Sequence, residues 1–162
     1  MTIYRLPFKR RRENVTDYRR RLKLLRAKVP RAVIRKTLQN TIVQIVNFEA
    51  IGDKIVSSAT ALELKKFGWS HSTKTVPAAY LTGYLAGKRA IKNGIEKAVL
   101  DIGRQVPSKG SRVFAALQGM LDAGLSIPHN KEKLPDADRL AGKHLNEHIE
   151  SEMNKIKSKL EE

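Results

Sequence analysis

The hydrophobic positions change period several times along this chain, and each change predicts an element. Tyr18, Leu22, Leu25 and Val29 recur at i, i+4, i+7 and i+11, which predicts a helix opened by a Thr16 or Asp17 cap and stopped by Pro30. That apolar stripe is the face expected to dock on the protein, with Arg19, Lys23 and Arg26 as a second, outward stripe. From Arg31 the period falls to two. Arg31 to Thr37 and Thr41 to Glu49 read as a hairpin joined through Gln39-Asn40, and Gly52-Asp53 turns the chain into a third strand, Lys54 to Ser58. Strand alternation puts Arg31, Val33 and Arg35 on one face and Ala32 and Ile34 on the other.

Thr60-Ala61-Leu62-Glu63 matches a capping box for a short helix ended by Gly68. A loop from Trp69 to Thr75 leads to a longer helix that starts near Pro77 and stops at Asn93-Gly94. Its Gly83-x-x-x-Gly87 pair predicts close approach to the sheet, since Lys88 and Arg89 follow too soon for a membrane helix. Lys97 to Gly103 reads as a buried strand, and Val113, Leu117, Met120 and Leu121 as one side of a helix ending near Gly124. Pro128 and Pro135 bound a linker. From Asp136 a charged helix with the stripe Leu145, Ile149, Met153, Ile156 and Leu160 runs to the end.

The order β-β-β-α-β-α predicts an α/β fold, a mixed sheet made of a three-strand meander and a crossover strand, flanked by helices. The expected organisation is a basic arm and helix over 1–30, an α/β core over 31–127, and a linker with a charged C-terminal helix over 128–162.

Charge adds a direction to this plan. The 162 residues hold 32 Lys and Arg against 16 Asp and Glu, a net charge of +16. Residues 1–37 alone hold 14 basic and 2 acidic residues, a net of +12. A block of one sign repels itself until a polyanion neutralises it, so nucleic acid is the first partner to consider. Lys9-Arg10-Arg11-Arg12 supplies phosphate contacts, and Tyr4 and Phe8, interleaved with these charges, supply faces on which unpaired bases stack. Composition does not separate RNA from DNA.

Other chemistries are poorly supported. No cysteine is present, which removes disulfides, thiolate metal sites and a cysteine nucleophile. No apolar run approaches the roughly 18 residues of a membrane span, so a soluble, unsecreted protein is expected. Ser108-Lys109-Gly110-Ser111-Arg112 precedes a helix N-terminus and suits an anion, but it lacks the order of a Walker A loop. His144-Leu145-Asn146-Glu147-His148 fits the H-x-x-E-H pattern of a zinc peptidase, yet it sits on a charged terminal segment outside the expected core. His71 and His129 have no arranged Ser or Asp partner. No cofactor, metal, membrane or small-molecule substrate is expected. A general RNA- or DNA-binding chaperone, or a zinc peptidase built on His144 to His148, are the alternatives.

Five blocks in order carry a resemblance: Phe8-Lys9-Arg10-Arg11-Arg12-Glu13, Thr16 to Leu22, Leu64 to Trp69, Pro77 to Gly83, and Lys109 to Leu117. They are similar to the archaeal and eukaryotic family of ribosomal large-subunit protein eighteen. The resemblance implies a non-enzymatic, cytoplasmic protein of the ribosome that binds 5S rRNA, attaches it to 23S rRNA and adjoins other large-subunit proteins. It implies RNA contacts in the arm (Phe8, Lys9, Arg10, Arg11, Arg12), in the basic helix (Tyr18, Arg19, Arg20, Arg21, with Lys23 and Arg26), at Arg31 and Arg35, in the loop with Trp69, Thr73 and Lys74, and in the turn with Lys109, Ser111 and Arg112. The tail after Pro135 matches no motif of that family.

Overall fold

The computed structural model describes residues 5–145 and 148–161, which leaves Tyr4 outside the described residues. Its centre is a mixed four-stranded sheet in the order β3-β2-β1-β4. Strands β1 (Arg31–Lys36), β2 (Thr41–Asn47) and β3 (Lys54–Thr60) form the antiparallel meander, and β4 (Val99–Asp101) joins parallel to β1. The β1–β2 register pairs Ala32 with Ile45 and Ile34 with Val43. These four apolar residues therefore share one face, and all four are fully buried.

Helix α3 (Val76–Lys92) carries the chain from the β3 edge to the β4 edge across that apolar face. Thr75 caps it, its Oγ1 accepting from the Ala78 N–H at 3.4 Å, and Pro77 fills a first-turn position where no N–H is needed. Most of α3 is buried on every side, because α4 (Arg112–Asp122) and the C-terminal helix α6 (His148–Glu161) also pack on it. Glycines set the α3–α4 contact. A Cβ on Gly83 would overlap the Ala116 carbonyl oxygen, and a Cβ on Gly119 would overlap the Tyr80 carbonyl oxygen. The Gly83-x-x-x-Gly87 pair thus meets a helix and not the sheet, since Gly87 abuts Ala123 and Met120 of α4.

The capping box forms as expected, with the Thr60 N–H donating to Glu63 Oε1 at 2.9 Å, although the element it opens, Ala61–Phe67, is a 3-10 helix. Gly68 ends it at φ +97°. The free edge of β3 is covered from α3: Asn93 Nδ2 donates to the Val56 carbonyl at 2.8 Å, and Arg89 donates to the Ser58 carbonyl. Capping these carbonyls blocks pairing with another strand.

The C-terminal segment differs from the expected single helix. It forms a short α5 (Ala137–Ala141), ended by Gly142 at φ +78°, and then α6. At Gly142 the left-handed backbone stops the helix, and the Ile149 and Pro77 side chains leave no room for a Cβ. Leu145 lies ahead of α6 and is exposed, while Ile149 and Ile156 are buried with Met153 and Leu160 packed beside them. This stripe covers Trp69, Leu64, Tyr80 and Leu81 in a second apolar cluster. Lys157 places its ammonium 5.2 Å from the Tyr84 ring centroid and 5.9 Å from that of Tyr80.

Candidate RNA interface

Two helices carry the basic head. A single turn, α1 (Lys9–Arg12), precedes α2 (Tyr18–Leu25), so the arm is folded back instead of extended. Asp17 caps α2, its Oδ1 accepting from the N–H groups of Arg19 and Arg20 at 3.0 and 3.1 Å. The hydrogen bond from the Arg20 N–H leads in holding this carboxyl below its ordinary pKa. Arg10 Nε donates to Thr16 Oγ1 at 3.0 Å, and the Phe8 and Tyr18 rings lie 5.7 Å apart. These contacts tie α1 to the start of α2.

Helix α2 lies over the open face of the sheet, and the predicted stripe packs only at its far end, where Leu25 and Val29 are half-buried. Tyr18 and Leu22, members of the apolar stripe, are 36% and 56% exposed. The side turned inward instead brings Arg21 Nη2 to Asp53 at 2.9 Å and Arg20 Nη1 to the Gly103 carbonyl at 2.8 Å. The open sheet face explains the choice. It displays Arg31, Gln44, Arg35 and Asp101 between its valines, so the side of α2 that carries Arg20 and Arg21 beside Leu24 is its complement.

A chain of alternating charges runs across this face. Arg31 is 4% exposed; its Nη1 donates to Asp101 Oδ2 at 2.8 Å and its Nη2 to Asp53 Oδ2 at 2.6 Å. Arg35 closes the far end, donating to the Asp101 carbonyl at 2.8 Å and to Asp101 Oδ1 at 3.2 Å. Burial pushes the Asp101 carboxyl toward neutrality, but the Arg35 charge, the Gly103 N–H and the Arg31 charge together hold its pKa below the ordinary value. The sequence reading missed Asp53 and Asp101 as organisers. A carboxylate inside the apolar run Ala98 to Ile102 was the available signal, since a buried charge demands a partner.

The candidate contact residues therefore fall into groups. Phe8, Lys9, Arg10, Arg11, Arg12, Tyr18, Arg19, Lys23 and Arg26 are exposed on α1 and α2. Lys9 is met by Glu13 at 3.8 Å; no carboxylate pairs with Arg11, Arg12, Arg19, Lys23 or Arg26 among the described residues. Arg20, Arg21, Arg31 and Arg35 spend their guanidinium groups on the protein itself. Trp69 is 3% exposed under α6, so it is a core residue and offers no face to a base.

The remaining candidates gather at the β1–β2 turn. Thr73 Oγ1 donates to the Gln39 carbonyl at 2.7 Å, and Arg112 Nη2 donates to the Thr37 carbonyl at 3.1 Å. Lys74 and Arg112 line one shallow groove there, and Lys109 is exposed one turn away. Ser111, the residue preceding α4, buries its Oγ with no hydrogen-bond partner among the described residues. Of the peptidase-like motif, His144 lies in the turn after α5 and His148 begins α6, while Asn146 and Glu147 lie outside the described residues. No group of three His, Asp or Glu side chains among the described residues is placed to hold a metal, and no described helix is long and apolar enough to cross a membrane.

Comparison with known proteins agrees with this architecture. The family model described as ribosomal large subunit proteins 60S L5 and 50S L18 matches residues 2–97 and 92–130. The large ribosomal subunit protein uL18 of Korarchaeum cryptofilum is 51% identical over 142 residues, covering 88% of this chain and 73% of that protein. Its counterpart in Methanothermobacter thermautotrophicus is 51% identical over 148 residues, covering 91% of this chain and 77% of that protein. An exposed basic head on a fully packed α/β body, and a family match through residue 130, lead to one conclusion: the chain belongs to the ribosomal large-subunit family of 60S L5 and 50S L18, as a structural protein and not an enzyme.

Proposed function

We propose that this chain, as a constituent of the large ribosomal subunit, binds 5S rRNA and attaches it to 23S rRNA. The observation that carries this reading is the row of exposed cations on α1 and α2, most of them without a carboxylate partner among the described residues, with a charge network behind α2. In this division of labour residues 1–30 grip RNA, 31–127 form the body, and 128–162 brace it. Arg11, Arg12, Arg19, Lys23 and Arg26 neutralise phosphates, while Phe8 and Tyr18 offer ring faces to an unpaired base. Arg20, Arg21, Arg31 and Arg35 act from behind, fixing α2 on the sheet. Lys74, Lys109 and Arg112 form a second phosphate region, with Ser111 Oγ at the N-terminus of α4.

Filter binding with the full chain and with a form lacking residues 1–28 tests this reading. The truncated protein should keep its folded circular dichroism signature and lose most 5S rRNA affinity; equal affinities would sink the proposal. Unrelated RNA of equal length should compete poorly. Equal competition would favour a general RNA chaperone.

A further inference from the structure

We propose that the β1–β2 turn and the groove beside it seat an unstacked base of 5S rRNA, with Leu38 and Leu145 against the base and Lys36 and Lys74 on the flanking phosphates. The inference deepens the 5S rRNA reading and rests on it. Leu38 is 88% exposed and Leu145 49% exposed, and both line one groove of about 400 Å³. Exposed apolar side chains scattered singly need no explanation, but two from distant parts of the chain lining the same groove do. The turn that presents Leu38 is clamped on both sides. The carbonyl of Thr37 before it accepts from Arg112 Nη2 at 3.1 Å, and the carbonyl of Gln39 after it accepts from Thr73 Oγ1 at 2.7 Å. Across the turn the Thr37 N–H donates to the Asn40 carbonyl at 2.8 Å, and the Asn40 N–H donates to Thr37 Oγ1 at 2.9 Å. An apolar side chain fixed in this way loses little freedom on meeting a ligand.

Charge decides which kind of occupant fits. Residues 36–41, 73–76 and 109–112 carry Lys36, Lys74, Lys109 and Arg112 and no Asp or Glu. The groove's lining adds His144 and holds no carboxylate among the described residues. Lys36 and Lys74 are exposed, and neither pairs with a carboxylate among the described residues. Such a rim attracts phosphates, and apolar side chains between the cations suit a base that has left its stack. Leucine is among the side chains that enter between bases. An acidic protein would meet the same cations, but two leucines fall far short of the roughly 800 Å² that each partner buries in a stable protein interface, where lysine is also depleted. The groove continues the proposed 5S rRNA surface. Arg20 of α2 donates to the Gly103 carbonyl at 2.8 Å, and the Arg35 guanidinium carbon lies 2.9 Å from where a Cβ on Gly103 would stand. The start of α2 and the end of β1 therefore meet at Gly103. Leu38 follows Arg35 by three residues, at most about 11 Å of chain, so one RNA reaches both.

The test is filter binding of the full chain to 5S rRNA over a salt series. Leu38→Ser and Leu145→Ser should each weaken binding by about fivefold to tenfold at every salt concentration and leave the slope of log K against log salt unchanged, since no phosphate contact is lost. Lys74→Gln should weaken binding and lower that slope by about 0.7–0.9. Leu38→Phe, which keeps an apolar face, should stay within about twofold of the parent affinity. Chemical probing of the bound RNA should show an unpaired nucleotide that the parent protein protects and Leu38→Ser does not. Unchanged affinity of Leu38→Ser, in a protein whose full chain still prefers 5S rRNA to unrelated RNA, would overturn the base seat and leave the 5S rRNA reading standing. No such preference in the full chain would end both. A lower slope for Leu38→Ser would mean that the turn only positions phosphate contacts, and would likewise overturn the base seat.

Discussion

The Asp53 carboxylate lies 2.6 Å from the Arg31 guanidinium and, through its second contact with Arg21 at 2.9 Å, joins the open face of the sheet to the basic helix. Asp53 comes from the loop before β3, Arg31 from β1 and Arg21 from α2, so one side chain spans three elements. Asp53→Asn keeps the shape and removes the charge. Arg31 retains Asp101, whereas Arg21 loses its only carboxylate among the described residues. We expect a loss of about 1–3 kcal/mol in a urea melt. Hydrogen exchange should show the larger change in α2, with β1 nearly unaffected; equal change in both would mean that Asp53 does not anchor the helix.

The α3–α4 contact makes a stricter demand. Gly83 of α3 meets the Ala116 carbonyl and Gly119 of α4 meets the Tyr80 carbonyl, so each helix lacks a side chain where the other's backbone passes. Alanine at either position forces the helices apart, because neither neighbour is a movable side-chain end. Gly83→Ala and Gly119→Ala should each cost about 2–4 kcal/mol, despite alanine's better helix propensity. A gain in melting temperature would show that the pair tolerates separation. Gly52, which has open space around its ideal Cβ, is the control: Gly52→Ala should change stability by less than about 1 kcal/mol.

Elements with strong local periodicity were legible in the sequence. The period-two runs from Arg31 and Thr41, the Thr60 to Glu63 capping box, the Pro77 start of α3 and the Gly124 stop after α4 are local signals, and the elements form where those signals lie. What failed depended on distant residues. The Tyr18, Leu22, Leu25 stripe predicted the docking side of α2 but packs only at its Leu25 end, because the surface awaiting it carries Arg31 and Asp101, and that is set by the register of β1 with β4. Trp69 reads as a loop aromatic because the helix that buries it, α6, comes 80 residues later in the chain. The basic head was legible because charge needs no partner to be counted. Which of its cations face outward was not, since Asp53 and Asp101 reach them only through the fold.

Acid should expose the cost of the charge network. Arg35, the Gly103 N–H and Arg31 prevail over burial and hold the Asp101 pKa below 3.8. The folded protein therefore keeps this carboxylate charged at a pH where the unfolded chain has begun to take up protons. The stability it contributes is complete above 3.8 and is lost as the pH falls through the lower, folded value. Asp17 and Glu63 shift in the same direction and add to the effect. Melting temperature measured from about pH 6 to about pH 2 should be flat at first and then fall steeply below about pH 4. Asp101→Asn should lower the plateau, at a cost of about 1–3 kcal/mol since Arg31 keeps Asp53 while Arg35 loses its carboxylate, and should flatten the acid limb. An unchanged acid limb in that variant would assign the effect to the other carboxylates.

Cations on the two sides of α2 should separate cleanly in RNA binding. Arg19, Lys23 and Arg26 point outward without a carboxylate among the described residues, whereas Arg21 is bonded to Asp53. If the outward side meets phosphates, each neutralising substitution there removes one counterion-release event. Arg19→Gln, Lys23→Gln and Arg26→Gln should each weaken 5S rRNA affinity and lower the slope of log K against log salt by about 0.7–0.9. Arg21→Gln should leave that slope in place and show its effect in the stability of α2 instead. Slopes measured by filter binding between about 50 and about 300 mM salt decide the matter. A reduced slope for Arg21→Gln with unchanged slopes for the outward three would place the RNA on the opposite side of the helix.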